Sequence, residues 1–527
     1  MNRGCDLFHA GLVATFIAAP ALFAAPGDRV PDCASCHPKE AAAYRKSPMG
    51  NSIAPPTPLA GGRITRNSAG IEISIAEREG HMIHALSVSG LNSEFPVEYQ
   101  VGAGKVGYTY LVRIRDYLFE SPASWYRTHG WDVSPGYQQM STVDFDRPID
   151  SACLFCHADN ARLEGSDGRR FTGGALQAVG CDRCHGLGDD HARQPSTKNI
   201  VNPAKLARRA RNSICEQCHL EGETRLLNPG KSWQDFHAGD ELERTAATYL
   251  LSRNGQEIRA VSQVEQLALS KCVRATGGKL WCATCHDPHG GPAYRATQIR
   301  DICLGCHSTL SKAAHPAITE CVSCHMPRLT PDDIPHAAST DHRILRRPAP
   351  LPGPDNPSVE LTAWQPPPAQ FRDRDQALAA LIVGGTHGLQ SLHDKGAALL
   401  EALPQAAKDN DPAVLSGLVS IRLQRREPDQ ALTFAGRALE IQTDSGFAAL
   451  SLSIALQNSG DDAGAEKMLL HTIDLDPSLQ AAWINLAFLY ERQGRQGDRI
   501  ALLNRYLQWN PQSVWFRQLK NMLSQPH

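Results

Sequence analysis

Seven cysteine pairs in this sequence have the two thiols three residues apart and a histidine directly after the second thiol. Composition alone, with 16 cysteines and 21 histidines in 527 residues, would give roughly 0.02 such patterns. Two thiols at this spacing can add across the two vinyl groups of one haem, and the imidazole that follows then lies beneath the iron as its proximal ligand. The motifs begin at Cys33, Cys153, Cys181, Cys215, Cys282, Cys303 and Cys321.

The pattern predicts seven covalently attached c-type haems, with iron as the metal. A redox dithiol, half of a zinc site or a disulfide framework would not need a histidine after the second cysteine in every copy. The predicted attachment cysteines are Cys33, Cys36, Cys153, Cys156, Cys181, Cys184, Cys215, Cys218, Cys282, Cys285, Cys303, Cys306, Cys321 and Cys324. The predicted proximal ligands are His37, His157, His185, His219, His286, His307 and His325.

Residues 1–25 have the composition of a secretory signal peptide. Arg3 precedes an apolar run from Ala10 to Phe23, and small residues follow at Ala24 and Ala25. Because c-type haem is attached outside the cytoplasm, this segment predicts a periplasmic or extracellular protein. No other segment reaches the ~18 apolar residues of a membrane span, so we expect none after signal removal.

Composition divides the remaining chain into two parts. Residues 26–345 hold every motif and form the predicted haem domain, whereas residues 346–374 are rich in proline and predict a stiff linker. The haem domain offers only about 46 residues per haem, too few for a conventional core, so we expect the haems to pack on one another as a stacked chain. Within it, residues 61–120 alternate like strands between glycines and predict a small antiparallel β insert.

Residues 375–527 repeat with a period of 34 residues. Leu418, Leu452 and Leu486 share one helical position, and Ala431 and Ala465 share another. This period is that of tetratricopeptide repeats, which stack into an α-solenoid. The predicted fold class is therefore mainly α: a haem domain with little regular structure and a small β insert, followed by a solenoid. The solenoid could dock a protein partner, or only cap or dimerise the haem domain.

The net charge of the protein indicates which class of partner it binds. The formal net charge is −2, and haems with ionised propionates would bring the loaded protein to roughly −9. An acidic protein of this kind does not favour nucleic acid, so the expected partner is a redox protein. Self-assembly stays open.

The sixth ligand of each iron is less well determined. His191 and His289 lie too near their own motifs to cap those haems easily and are better suited to the distal face of a neighbouring haem. His81 and His84 lie on opposite faces of one predicted strand and are interpreted as surface residues. Other candidates before the linker are His129, His237, His315, His336, His342 and Met49, with Met49 favoured as apolar filling.

Cys272 is the only cysteine after the signal segment that lies outside a motif. A buried thiol is the favoured interpretation, and a thiolate ligand or a sulfur-chemistry site stays open.

Several runs resemble multihaem cytochromes c with doubled CXXCH motifs, related to the nitrite- and hydroxylamine-converting cytochromes. They begin at Cys181 (CDRCHG), Cys282 (CATCHDPH), Cys321 (CVSCHMPR) and Thr340 (TDHRI). The whole order is similar to bacterial proteins that join such a domain to tetratricopeptide repeats. The resemblance implies bis-histidine haems with distal ligands His191, His289, His315, His336 and His342. The chain departs from the ammonia-forming nitrite reductases, since no motif has lysine in place of its histidine.

Together these features predict an exported seven-haem electron-transfer cytochrome whose repeats dock a redox partner. A rival hypothesis is an oxidoreductase of a small nitrogen or sulfur compound, which needs one five-coordinate haem with a vacant position. A third is one unit of a conducting filament, which predicts polymers.

Overall fold

The computed structural model describes residues 32–66, 70–137, 143–252, 261–290, 296–309, 320–329, 339–346 and 360–523. The predicted signal peptide, the proline-rich start of the predicted linker, His315 and His336 lie outside these residues. Among the described residues, no helix is long and apolar enough to cross a membrane.

A 12-stranded antiparallel sheet follows the first motif. Its long strands alternate between buried and exposed side chains, as Ile71, Ile73 and Ile75 show by facing the core. The strand order is β11-β12-β7-β6-β5-β4-β3-β2, with β1, β10 and the β8–β9 hairpin at its sides. The strands are β1 (Ile53–Ala54), β2 (Gly62–Arg66), β3 (Ile71–Arg78), β4 (His81–Val88), β5 (Leu91–Val101), β6 (Gly107–Ile114), β7 (Tyr117–Glu120), β8 (Ala123–Tyr126), β9 (Gly130–Val133), β10 (Arg147–Pro148), β11 (Leu163–Glu164) and β12 (Arg170–Phe171).

The sheet is larger than the predicted small insert, which covered only residues 61–120. It extends from Ile53 to Phe171 and passes the second haem motif. The added strands are two to four residues long, too short for an alternating pattern to be recognised. The prediction of a mainly α fold therefore holds for the C-terminal half and not for this region.

The helices of the haem domain are short because most of them are built around a motif. One helical turn places the two cysteines of a motif on one face, with the histidine next to them. Two small sheets complete this part, β13 (Thr224–Leu227) with β14 (Ala246–Ser252) and β17 (Glu360–Ala363), and β15 (Arg328–Leu329) with β16 (Ser339–Thr340). The helices are α1 (Pro38–Tyr44), α2 (Ser151–His157), α3 (Asp182–His185), α4 (Asp189–Arg193), α5 (Arg208–His219), α6 (Gln263–Leu269), α7 (Lys271–Ala275), α8 (Cys282–Cys285), α9 (Ala296–Leu304) and α10 (Val322–His325).

The C-terminal helices form an antiparallel solenoid with the predicted period. α14, α16, α18 and α20 each begin 34 residues after the one before, and so do α15, α17 and α19. Ala431 and Ala465 are fully buried at the small-residue position, while Arg499 fits there by donating to Glu491 Oε1 at 2.7 Å. The helices are α11 (Arg372–Thr386), α12 (Gln390–Glu401), α13 (Gln405–Asn410), α14 (Pro412–Gln424), α15 (Pro428–Ile441), α16 (Gly446–Ser459), α17 (Asp462–Leu475), α18 (Gln480–Arg492), α19 (Gln496–Trp509) and α20 (Val514–Leu523).

Successive turns between the repeats pack against the N-terminal half of the chain. Ser445 Oγ donates to Asp167 Oδ1 at 2.6 Å, and Ser513 Oγ donates to Asp144 Oδ2 at 2.7 Å. Val514 enters the apolar core of the large sheet. Strand β17, which lies in the predicted linker, pairs with β14 of the haem domain. The two parts therefore share an extensive interface.

Candidate haem sites

Each described motif folds as a single helical turn. The backbone N–H of the histidine donates to the carbonyl of the first cysteine, as in His37 to Cys33 at 2.8 Å and His286 to Cys282 at 2.9 Å. This turn brings two thiols and one imidazole together, as attachment of a haem requires.

The orientation of two proximal histidines is fixed by backbone carbonyls. His185 Nδ1 lies 2.8 Å from the oxygen of Val201, and His325 Nδ1 lies 2.6 Å from the oxygen of Leu345. Because a carbonyl can only accept, Nδ1 carries the proton and Nε2 keeps a lone pair that can bind a metal.

Three proximal histidines face a second histidine from elsewhere in the chain. At a metal–imidazole distance of about 2.0 Å, two imidazoles on opposite sides of one ion have ring centroids about 6.3 Å apart. The observed separations agree with this value, and the ring planes are nearly parallel. The pairs are His37 and His191 (6.3 Å, 17°), His185 and His289 (6.0 Å, 12°), and His286 and His342 (6.2 Å, 25°).

The second histidines are oriented in the same way as the proximal ones. His342 Nδ1 lies 2.7 Å from the oxygen of Thr340, and His191 Nδ1 lies 3.1 Å from the oxygen of Ser196. His289 Nδ1 lies 3.5 Å from Asp287 Oδ1. These contacts direct Nε2 away from the acceptor and leave it available for iron.

His157 and His219 are the proximal histidines of the second and fourth motifs. Loss of solvation among surrounding protein atoms lowers the pKa of both imidazoles. Their side chains are nevertheless exposed. The paired thiols and the adjacent imidazole of each described motif are the donor set that attachment of c-type haem needs.

Thiols of different motifs lie next to one another. Burial, followed by the neighbouring thiol, raises the pKa of Cys33 and Cys303. Contact with the neighbouring thiol, followed by burial, raises the pKa of Cys215 and Cys218. The contacting pairs are Cys33 with Cys181, Cys156 with Cys218, Cys215 with Cys282, and Cys303 with Cys321. Weaker electrostatic interactions connect Cys184 with Cys215 and Cys285 with Cys303.

Several candidate residues lie away from the motif histidines. His84 is fully buried between Tyr110 and Trp131, so its interpretation as a surface residue is wrong, whereas His81 is exposed. The two nitrogens of His129 face Thr128 and Asp132 in the β8–β9 hairpin.

The remaining candidates occupy varied positions. His237 has a side chain that is 65% exposed, and Met49 is partly buried in a short 3-10 helix. Cys272 is partly buried beside the thiols of Cys285 and Cys303. His315 and His336 lie outside the described residues.

Sequence reasoning missed two residues that contact the motifs. Tyr44 donates its hydroxyl to the oxygen of Val179 at 2.8 Å beside Cys184, and burial raises its pKa. Arg225 lies beside Cys156 and Cys218. Neither belongs to a motif, and only the folded chain brings them to these positions.

Two protein families match parts of the chain. The family described as "Doubled CXXCH motif" matches residues 274–312, which hold the fifth and sixth motifs. The family described as "Cytochrome c554 and c-prime" matches residues 125–186, which hold the second and third. These matches support covalently bound c-type haem and, with it, haem-based electron transfer.

Comparison with whole proteins gives only partial likeness. No curated protein matches the chain. Similar solved structures include the Arabidopsis OM64 tetratricopeptide domain (14% identity, 21% of this chain and 93% of that chain, TM-score 0.19). MamA is 17% identical over 27% of this chain and 81% of its own, with a TM-score of 0.23. YrrB, a tetratricopeptide protein with an unusual peptide-binding site, is 16% identical over 29% and 78%, also with a TM-score of 0.23.

Proposed function

We propose that this chain is an exported, seven-haem c-type cytochrome that carries electrons along a row of haem sites. Bound c-type haem supplies one-electron chemistry between ferric and ferrous iron. The observation that supports the proposal most is the set of three histidine pairs at the spacing of two imidazoles on one metal ion. The seven motifs give the number of sites.

We assign one bis-histidine site to each histidine pair. His191 is the distal ligand at the first motif, His289 at the third and His342 at the fifth. Each of these distal histidines follows a motif later in the sequence than the one that it faces. Folding therefore has to bring distant segments together before these irons are fully ligated. His315 and His336 remain candidates for other irons.

We base the proposed order of the sites on the interactions between thiols of different motifs. Contacting thiols connect the first motif with the third and the fourth with the fifth, and a weaker electrostatic interaction connects the third with the fourth. Contacting thiols also connect the sixth motif with the seventh and the second with the fourth, and a weaker electrostatic interaction connects the fifth with the sixth. Because each thiol is bonded to a haem edge, adjoining thiols place haem edges side by side. The row therefore runs from the first motif to the seventh, which gives two ends where electrons can enter or leave.

The solenoid has surface left for a redox protein partner. One series of turns packs on the haem domain and the large sheet, as a capping role requires. Helix α18 exposes the apolar side chain of Phe488, which is 59% exposed. Docking there would hold a partner at a fixed position relative to the row.

The second candidate function is reduction or oxidation of a small nitrogen or sulfur compound. Among the described residues, neither His157 nor His219 has a second histidine ring at the paired spacing. A vacant iron position is what such chemistry requires.

The experiment that separates the two functions is low-temperature electron paramagnetic resonance of the oxidised, haem-loaded protein. Electron transfer predicts low-spin signals that account for all seven irons, and oxidation of the fully reduced protein by seven equivalents of ferricyanide. A stoichiometric high-spin signal would favour the catalytic function instead.

A further inference from the structure

Arg225 lies where the second and fourth haem motifs meet. It belongs to β13, and its guanidinium group interacts with the sulfur atoms of both Cys156 and Cys218, which contact each other. These cysteines are the second attachment residues of two different motifs. One cation is therefore shared by two predicted haem sites.

The guanidinium group of Arg225 is held in place by three kinds of contact. Its Nη1 donates to the oxygen of Gln217 at 3.0 Å, and its Cζ lies 4.6 Å from the centroid of the Trp233 ring. Its Nε and Nη2 are enclosed by protein. These contacts hold the guanidinium group of Arg225 away from solvent, so its positive charge is buried.

Two charged side chains of the described residues, Glu265 and Arg183, lie near the Arg225 junction. The carboxylate that interacts with it is Glu265, whose Oε1 already accepts the backbone N–H groups of Glu221 and Gly222 at 2.9 Å each. The nearby Arg183 adds a second positive charge and lies 3.5 Å from its own partner, Asp159. Arginine keeps its charge at all physiological pH values. The guanidinium group of Arg225 is therefore a fixed cation beside the two sulfur atoms.

We infer that Arg225 is a redox-tuning residue that raises the reduction potentials of the two haems attached through Cys156 and Cys218. This inference rests on the proposed function. A ferric haem core carries one more positive charge than the ferrous core, so a fixed cation nearby disfavours the ferric state. Reduction adds one electron to each iron from an external one-electron donor, and no bond forms or breaks. Arg225 thereby makes the junction of the second and fourth sites a place where electrons are retained.

The test is a spectroelectrochemical titration of the haem-loaded protein and three variants. Arg225→Gln removes the charge, Arg225→Lys keeps it, and Arg63→Gln removes an exposed arginine from the large sheet. We expect two of the seven haems to titrate at lower potential in the Gln variant. The titration curve of the Lys variant should stay close to that of the unmodified protein. The curve of the Arg63→Gln variant should superimpose on it.

The haem content of each protein is measured first, as the pyridine haemochrome. This measurement distinguishes a failure of the proposed function from a failure of the inference about Arg225. A protein with fewer than seven haems contradicts the proposed function itself. A fully loaded Arg225→Gln protein whose titration superimposes on the unmodified curve overturns the inference about Arg225 alone. Arg225→Met keeps an apolar side chain against Trp233 without the charge. It is expected to lower the reduction potentials of the same two haems, so it replaces the Gln variant if that variant does not accumulate.

Discussion

The imidazole rings of His185 and His289 face each other with centroids 6.0 Å apart and planes 12° from parallel. One belongs to the third haem motif and the other follows the fifth, so the two histidines are more than a hundred residues apart in the sequence. Val201 and Asp287 orient the two rings through Nδ1. An iron between them would tie the two halves of the haem domain together.

Replacing His289 with alanine is expected to remove the sixth ligand of one iron. One of the seven haems should then change from low spin to high spin, because a single axial imidazole gives a weaker ligand field. Electron paramagnetic resonance of the oxidised variant measures this change. His237→Ala is the matched control, since this histidine is exposed and should leave every spin state unchanged.

A different outcome for His289 would contradict the assignment. If the variant keeps all of its haems low-spin at full haem content, His289 is not an iron ligand. If His237→Ala produces the high-spin signal, the two assignments have to be exchanged.

The number of haems can be tested by replacing Cys303 and Cys306 together with alanine. Both thiols of the sixth motif are then lost, so this haem cannot be attached. The intact mass of the purified protein is expected to show seven haems for the unmodified chain and six for the variant. An equal count in both proteins would mean that the sixth motif does not bind haem.

The ion pair between Arg169 and Asp476 joins the haem domain to the solenoid. The atoms Nη1 and Oδ2 are 3.2 Å apart, and both side chains are only 7% exposed. Asp476→Ala leaves a buried charge unpaired, so we expect a loss of about 3–5 kcal/mol in the stability of this interface. Thermal melting followed by circular dichroism measures it.

The exposed pair between Asp474 and Arg505 provides the control for this experiment. Asp474→Ala should change stability by less than about 1 kcal/mol, because water screens an exposed pair. Equal effects of the two variants would show that the solenoid is not held by the buried pair.

The raised pKa of Asp146 should make the stability of the protein depend on pH. Burial, followed by the charge of Asp144, raises the pKa of Asp146 to about 7. The folded chain then binds a proton that the unfolded chain releases near pH 4, so the contribution of Asp146 to stability falls as pH rises from about 4 to about 7. Asp146→Asn removes this dependence.

The measurement compares melting temperatures of the two proteins at pH 5 and pH 8. The Asn variant should gain stability relative to the unmodified protein as pH increases, by an amount of order 2 kcal/mol for a carboxyl shifted this far. A difference that does not vary with pH would mean that Asp146 titrates normally.

The sequence was most informative where chemistry or periodicity repeats. The spacing of Cys33, Cys36 and His37 defines a motif in five residues, and its sevenfold repetition needs no structure to be recognised. The helices that contain Leu418, Leu452 and Leu486 begin 34 residues apart, as the repeat period predicts.

Features that depend on distant parts of the chain were harder to predict. Which histidine faces His37 depends on where α4 lies, and the acceptor of His185 is the backbone of Val201, which has no side-chain signature. The short strands β10 to β12 have no alternating pattern because they are only two residues long. The burial of His84 likewise follows from neighbouring strands rather than from its own strand pattern.

The central claim is a continuous row of seven haems, and an experimental structure of the haem-loaded protein tests it most directly. We expect irons between His37 and His191, between His185 and His289, and between His286 and His342. We also expect unbroken contact from the haem of the first motif to that of the seventh, with the second branching at the fourth. A haem separated from the others by a layer of protein, or an iron bound by different residues at these three sites, would contradict it.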